Sequence, residues 1–283
     1  MSADLHCHTK LSNSSMGIDD LLVLAAKRGV DTLAITDRDC QAGNVRAKII
    51  GERKGINVLP GVELSCTDAK RNKTILILCY LSDSPDRLEG LCRRNIIARK
   101  KASQFMILKI AQRFPITPEL VVKCATGSTA VFEAHIMHSL MECGLTDRIY
   151  GDLYKELFDS ESPNNVIVPP KYSSPAEVIE AIHEAGGVAV LAKPGDDTGL
   201  VDELAKAGLD GIEVWHPAHT PEQIEALKKT AAKHKLLCIG GSDFRGMYSQ
   251  NPVSVGDVVT PETDLKALMS YKSKMKKKAA AAK

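Results

Sequence analysis

Aromatic side chains are scarce in this 283-residue sequence: they make up 4% of it, and Trp215 is the only tryptophan. The core is therefore expected to be filled by aliphatic residues, whose shape and branching set the packing. Long apolar runs are missing too. None approaches the roughly 20 residues that cross a bilayer, and no charged-then-apolar leader precedes Asp4, so neither a membrane span nor secretion is expected. Charge of one sign is also lacking. With 37 basic against 35 acidic residues the net charge is +2, and the lysines and arginines are mostly dispersed, which argues against binding duplex nucleic acid or a membrane. The eight cysteines include no Cys-x-x-Cys pair, which points to a reducing cytoplasm and to thiols packed as small hydrophobes. No glycine-rich dinucleotide or P-loop fingerprint follows any apolar segment.

What is present is a regular alternation of short apolar strands and amphipathic helices. Strands are expected after Met1 and at 32–36, 56–64 and 74–81, with helices at 18–28 and 41–54 between the first three. This rhythm argues for a parallel sheet with right-handed crossovers. At Asp83 it changes. Residues 83–165 read as almost wholly helical, an inserted subdomain with helices at 85–114, 118–123, 131–143 and 146–158. Strand and helix units then resume, with strands at 187–192, 211–214 and 236–240 and a last helix at 262–271. The pattern is expected to close as an α/β barrel built from residues 1–82 and 166–271. Residues 272–283, with Lys272, Lys274, Lys276, Lys277 and Lys278 before an alanine run, are expected to form a frayed, solvated tail.

Polar residues recur at the C-terminal ends of these strands. His6 and His8 follow the first, Asp37, Arg38 and Asp39 the second, Glu63 the third, Lys193 the fifth, His216 and His219 the sixth, and Asp243 and Arg245 the seventh. In a (β/α) barrel all these ends open on one face, where active sites sit. Side chains alternate along an extended strand, so His6 and His8 project to one side, where two imidazoles can meet one metal ion. Local capping by either histidine remains the alternative at this point.

Asp4-Leu5-His6-Cys7-His8-Thr9, Thr36-Asp37-Arg38-Asp39, Gly61-Val62-Glu63, Ala192-Lys193-Pro194-Gly195 and Gly241-Ser242-Asp243-Phe244-Arg245 resemble, in order, the motifs of the polymerase and histidinol phosphatase (PHP) superfamily of metal-dependent phosphoesterases. The likeness is to the branch with a helical insertion, which includes nucleoside 3',5'-bisphosphate phosphatases and 5'-to-3' exoribonucleases. It implies a distorted (β/α)7 TIM-like barrel and a cluster of up to three divalent ions, usually manganese, iron or zinc. It also implies a first metal site at His6, His8, Glu63 and Asp243. The sequence departs from the family where histidines are expected, at Arg38, Lys193 and Arg245, and Asn13 stands where the family places an aspartate. A guanidinium has no lone pair to offer a metal. A single ion is therefore expected, with Arg38, Lys193 and Arg245 binding phosphate in place of the lost ligands. The resemblance makes His135 a candidate ligand of a third metal site, and Glu133 stands where the family often has arginine.

The resemblance implies a hydrolase of small phosphorylated substrates, such as nucleotides or short RNA. Asp37 and His219 are the candidates for proton transfer, and Asn13, Trp215 and His216 are expected to line the substrate pocket. The alternative is an inactive barrel of the same type that binds phosphate or nucleotide without turnover.

Overall fold

The computed structural model describes residues 2–281. Seven strands lie side by side in chain order: β1 (Ala3–Cys7), β2 (Thr32–Ile35), β3 (Asn57–Asp68), β4 (Lys73–Tyr80), β5 (Val188–Leu191), β6 (Gly211–Trp215) and β7 (Leu237–Gly240). The barrel is nearly closed, because β1 meets the segment beyond β7: Cys7 bridges Phe244, and Ala3 bridges Thr260. Helices α1 (Ile18–Lys27) and α2 (Asn44–Lys54) connect the first three strands, and α7 (Pro175–Glu184), α8 (Thr198–Lys206) and α9 (Pro221–His234) flank the last three.

The expected all-parallel sheet needs one correction. β4 runs antiparallel to both β3 and β5, and the remaining pairs are parallel. Only residues 69–72 separate β3 from β4. A parallel crossover needs a dozen or more residues, so a connection this short permits only a hairpin. Asn72 makes the turn at φ +50, in the left-handed region that asparagine tolerates.

The packing is aliphatic on both sides of the barrel wall. Leu5, Ala34, Leu59, Leu78, Val190 and Ile239 form one buried cluster with Leu265 and Leu268 of α10 (Glu262–Ala281). Tyr80 lies among them, and its hydroxyl donates to the Leu5 carbonyl at 2.8 Å. The opposite strand faces pack Leu33 and Ile35 on α1, and Ile212 and Val214 on α7 and α9.

Between β4 and β5 the chain forms α3 (Glu89–Ala111), α4 (Pro118–Cys124), α5 (Glu133–Glu142) and α6 (Asp152–Phe158). They bury their own cluster, with Ile110, Val121, Ile136, Met137, Leu140 and Leu157 at its centre. Tyr248, from the loop after β7, completes it. The segment from Lys272 is solvated in part, as expected: Lys274, Lys276 and Lys277 are exposed, and Lys272 is the exception. α10 continues to Ala281, and Lys272 is buried, donating to Asp83 Oδ2 at 2.6 Å and to the Gly186 carbonyl. The long aliphatic stem makes this placement possible. The side chain of Lys278 lies outside the described residues. Among the described residues no helix is long and apolar enough to cross a membrane.

Candidate metal centre

β1 delivers the two histidines through an irregularity. Its register with β2 shifts between Asp4 and Cys7, as at a β-bulge. Cys7 then packs in the cluster under α1, and fully buried His6 and His8 face each other with their Nε2 atoms 3.2 Å apart. Asp4, also buried, accepts hydrogen bonds from the Ser242 amide (2.9 Å), the Ser242 hydroxyl (2.6 Å) and the Gly256 amide (2.9 Å). That clamp fixes the end of β1 against the residue before Asp243.

Asp243 Oδ1 lies 3.1 Å from His8 Nε2 and 3.4 Å from His6 Nε2. Donors bound at about 2.0–2.2 Å in a tetrahedron stand about 3.3–3.6 Å apart, so the three atoms have close to the spacing of ligands on one ion. Glu63, from the middle of β3, adds a fourth donor, a second carboxylate, beside them. Its Oε1 is 3.4 Å from His6 Nε2 and, buried, has no hydrogen-bond partner among the described residues. An unpaired buried carboxylate oxygen is costly, and a cation at this point would satisfy it.

Glu213 was not singled out from the sequence, although an acid inside the apolar strand Gly211-Ile212-Glu213-Val214-Trp215 was the available signal. It is fully buried. Its Oε1 accepts from His6 Nδ1 at 2.8 Å, and its Oε2 accepts from the Lys193 amide at 2.9 Å. A proton held on Nδ1 leaves the His6 Nε2 lone pair directed at the cluster. Burial opposes charge on His6, but Glu213 and Asp243 outweigh it and push the ring up to about 10. Burial brings His8 down to about 4. One protonated and one neutral ring suit the short Nε2 to Nε2 contact, so a proton and a metal ion compete for the same place.

Arg38, Lys193 and Arg245 all reach the cluster. Arg38 Nε donates to Glu63 Oε2 at 2.6 Å, Lys193 Nζ to Asp243 Oδ2 at 2.9 Å, and Arg245 Nη2 to Asp243 Oδ1 and Oδ2 at 2.8 and 3.0 Å. Lys193 (φ +36) and Asp243 (φ +49) both hold left-handed backbone, a strained conformation for such residues that aims their side chains at each other. Burial disfavours ionised Glu63 and Asp243. The cations override it: Arg38 and His6 beside Glu63, and Arg245, Lys193 and His6 beside Asp243, hold both carboxyls well below their usual range.

His216 belongs to the same group. Its Nδ1 accepts from the Ala218 amide at 3.1 Å, which leaves a proton on Nε2, 3.3 Å from Asp243 Oδ2. A cavity of about 120 Å³ opens beside it, lined by Lys193, His216, Ser242, Asp243, Arg245 and Asn251 among others.

Other residues expected here are placed elsewhere. The Asp37 carboxylate is taken up by the Thr9 amide (2.7 Å), the Thr9 hydroxyl (2.6 Å) and the Ser12 hydroxyl (2.5 Å), so it organises the loop after β1 and has no oxygen free for proton transfer. His219 has both nitrogens engaged, Nδ1 donating to the Val214 carbonyl (2.9 Å) and Nε2 accepting from the Gly195 amide (3.3 Å). Trp215 is turned away from the mouth. A register shift between Glu213 and Trp215 puts the indole on the outer cluster, with Lys228 Nζ 5.9 Å from its ring. Asn13 is buried beside the Ser12 hydroxyl at 3.3 Å and does not line the cavity. His135 caps α5: its Nδ1 accepts from the Phe132 amide at 3.1 Å, and its ring packs edge-on to Tyr248. Among the described residues the group whose ligand atoms lie within 4.8 Å of one another is His6, His8 and Asp243, with neither Glu63 nor His135 in it. Glu133 accepts from the Tyr154 hydroxyl at 2.7 Å.

A model of the PHP domain matches residues 4–127. The chain is 31% identical to the phosphoribosyl 1,2-cyclic phosphate 1,2-diphosphodiesterase of Eggerthella lenta, over 89% of this chain and 97% of that protein. It is 30% identical to the 5'-3' exoribonuclease Rnm of Escherichia coli, over 85% of this chain and 84% of that protein. A crystal structure from Bifidobacterium adolescentis, of a protein assigned as a metal-dependent phosphoesterase, superposes with a TM-score of 0.85 at 29% identity, covering 94% of this chain and 95% of that one.

Proposed function

The chain belongs to the PHP domain family of phosphoesterases, and from that premise we propose that it hydrolyses small phosphorylated substrates, such as nucleotides or short oligonucleotides, with one divalent ion held by His6, His8, Glu63 and Asp243. The observation that carries the one-ion reading is the convergence of His6 Nε2, His8 Nε2 and Asp243 Oδ1 at 3.1–3.4 Å, beside the orphaned Glu63 Oε1. Two imidazoles and two carboxylates suit manganese, iron or zinc. A second ion has no room in this reading, because Arg38, Lys193 and Arg245 already supply the positive charge around the carboxylates.

When bound, the ion supplies positive charge against a phosphoryl oxygen and acidity to a water. The protein's own groups do the rest. Arg38, Lys193 and Arg245 hold the remaining phosphoryl oxygens and stabilise the charge that builds on them, which is where most of the catalysis of phosphoryl transfer arises. Glu213 keeps His6 in the required tautomer and seats the backbone of Lys193. His216, which lines the cavity and directs its Nε2 proton to Asp243 Oδ2, is the candidate donor to a leaving oxygen that displaces that contact. The relatives named above, acting on a cyclic phosphate and on RNA, support the substrate class.

The test is release of phosphate or nucleotide from 3',5'-bisphosphates and short RNA after manganese loading, in the wild type and in His6→Ala. Turnover that disappears in the variant is expected. Turnover unchanged in His6→Ala would refute the assignment.

A further inference from the structure

The three cations at the barrel mouth do not stand free. Each is closed onto a carboxylate that the function above gives to the ion: Arg38 onto Glu63 Oε2, and Lys193 and Arg245 onto Asp243. Asp243 Oδ1 is shared between both imidazoles and Arg245, while Oδ2 serves Lys193, His216 and Arg245. The same two carboxylates therefore face the ion on one side and the phosphate-binding groups on the other.

We propose that the ion and a dianionic phosphate bind to this site as mutually dependent partners, each weak alone and strengthened by the other. The inference rests on the one-ion reading. A dication placed among the donors lies within a few ångströms of three fixed positive groups in a poorly solvated pocket, and those like charges oppose it. A phosphate placed alone must draw Arg38, Lys193 and Arg245 away from Glu63 and Asp243, which leaves buried carboxylates unpaired. With both present each cost falls, since the phosphate takes the cations and the ion takes the carboxylates. A phosphomonoester with two negative charges satisfies three cations and an ion better than a singly charged diester, so monoesters are the favoured ligand class. Binding free energies are reciprocal, so each ligand must tighten the other by the same factor.

The test is calorimetric titration of the full chain with manganese(II), in chloride and at equal ionic strength with inorganic phosphate, and then with phosphate in the presence and absence of manganese. A tightening of about 5–150-fold is expected, equal in both directions, with a smaller factor for dimethyl phosphate. Arg245→Met removes a competitor for Asp243. It should bind manganese alone more tightly than the wild type does and lose most of the phosphate effect. Arg38→Met reads the same relation at Glu63 if the first variant does not fold. Equal manganese affinity with and without phosphate overturns the coupling, as does weaker binding of manganese alone by both variants. No manganese uptake under either condition defeats the one-ion reading itself, and the coupling with it.

Discussion

Replacing Asp39 by asparagine should loosen the helical insertion from the barrel. Asp39 follows Arg38 but does not join the metal cluster. Fully buried, it accepts from the Ser65 amide (2.9 Å), the Ser65 hydroxyl (2.8 Å), Asn95 Nδ2 (2.7 Å) and Arg99 Nη2 (2.7 Å). It therefore fastens α3, through Asn95 and Arg99, to β3 two residues beyond Glu63. Arg99 also lies 4.6 Å from the centre of the Phe132 ring, so the same contact seats the start of α5. Asparagine is the appropriate perturbation, because it tolerates the φ of +53 at this position and differs by little more than the charge. Its amide group must then face donors, and Arg99, its side chain only 13% exposed, loses its counter-charge. Breaking one side of such a pair costs about 3–5 kcal/mol. With a urea slope of about 3 kcal/mol per molar, the unfolding midpoint should fall by about 1 M or more. The double variant with Arg99→Met should recover part of that loss, with a coupling of about 1–3 kcal/mol. A midpoint unchanged in Asp39→Asn, or losses that simply add in the double variant, would refute this reasoning.

Two further outcomes follow from the geometry. Burial holds His135, 2% exposed, near a pKa of about 4 against 6.5 when unfolded. The unfolded chain therefore binds the extra proton between these values, so the stability from this residue is complete above about pH 6.5 and falls by up to about 3 kcal/mol as the pH drops through 4. Urea midpoints against pH should fall less steeply in His135→Gln, and parallel profiles would contradict the assignment. Combining Asn13→Asp, Arg38→His, Lys193→His and Arg245→His replaces three cations by lone-pair donors and should raise the metal content above that of the wild type by elemental analysis. An unchanged content would mean that these positions do not exclude a second ion.

The strand ends were legible because each is a short apolar run that stops abruptly at a charge, and the barrel brings those stops together. His6, His8 and Asp243 could be grouped on that basis once the motif order was recognised, whereas Glu63 lies inside β3, which runs on to Asp68, and was grouped by the motif order alone. Two strand irregularities, in β1 and in β6, were not legible. The bulge in β6 turns Trp215 outward, and nothing in a five-residue run reports a register shift. The antiparallel β4 was within reach, since the chain between β3 and β4 is too short for a crossover. The roles of Asp37 and Asp39 depended on partners elsewhere in the chain, Thr9 and Ser12 for one and Asn95 and Arg99 for the other. A carboxylate at a strand end looks the same in the sequence whether it meets a metal, a loop or a helix.

The measurement that bears most directly on the central claim is the metal content of the purified chain after manganese or iron loading, compared with that of His6→Ala. One ion per chain in the wild type and none in the variant is the predicted result. No stoichiometric metal in the wild type, or two or more ions, would contradict a single ion held by His6, His8, Glu63 and Asp243 among the cations Arg38, Lys193 and Arg245.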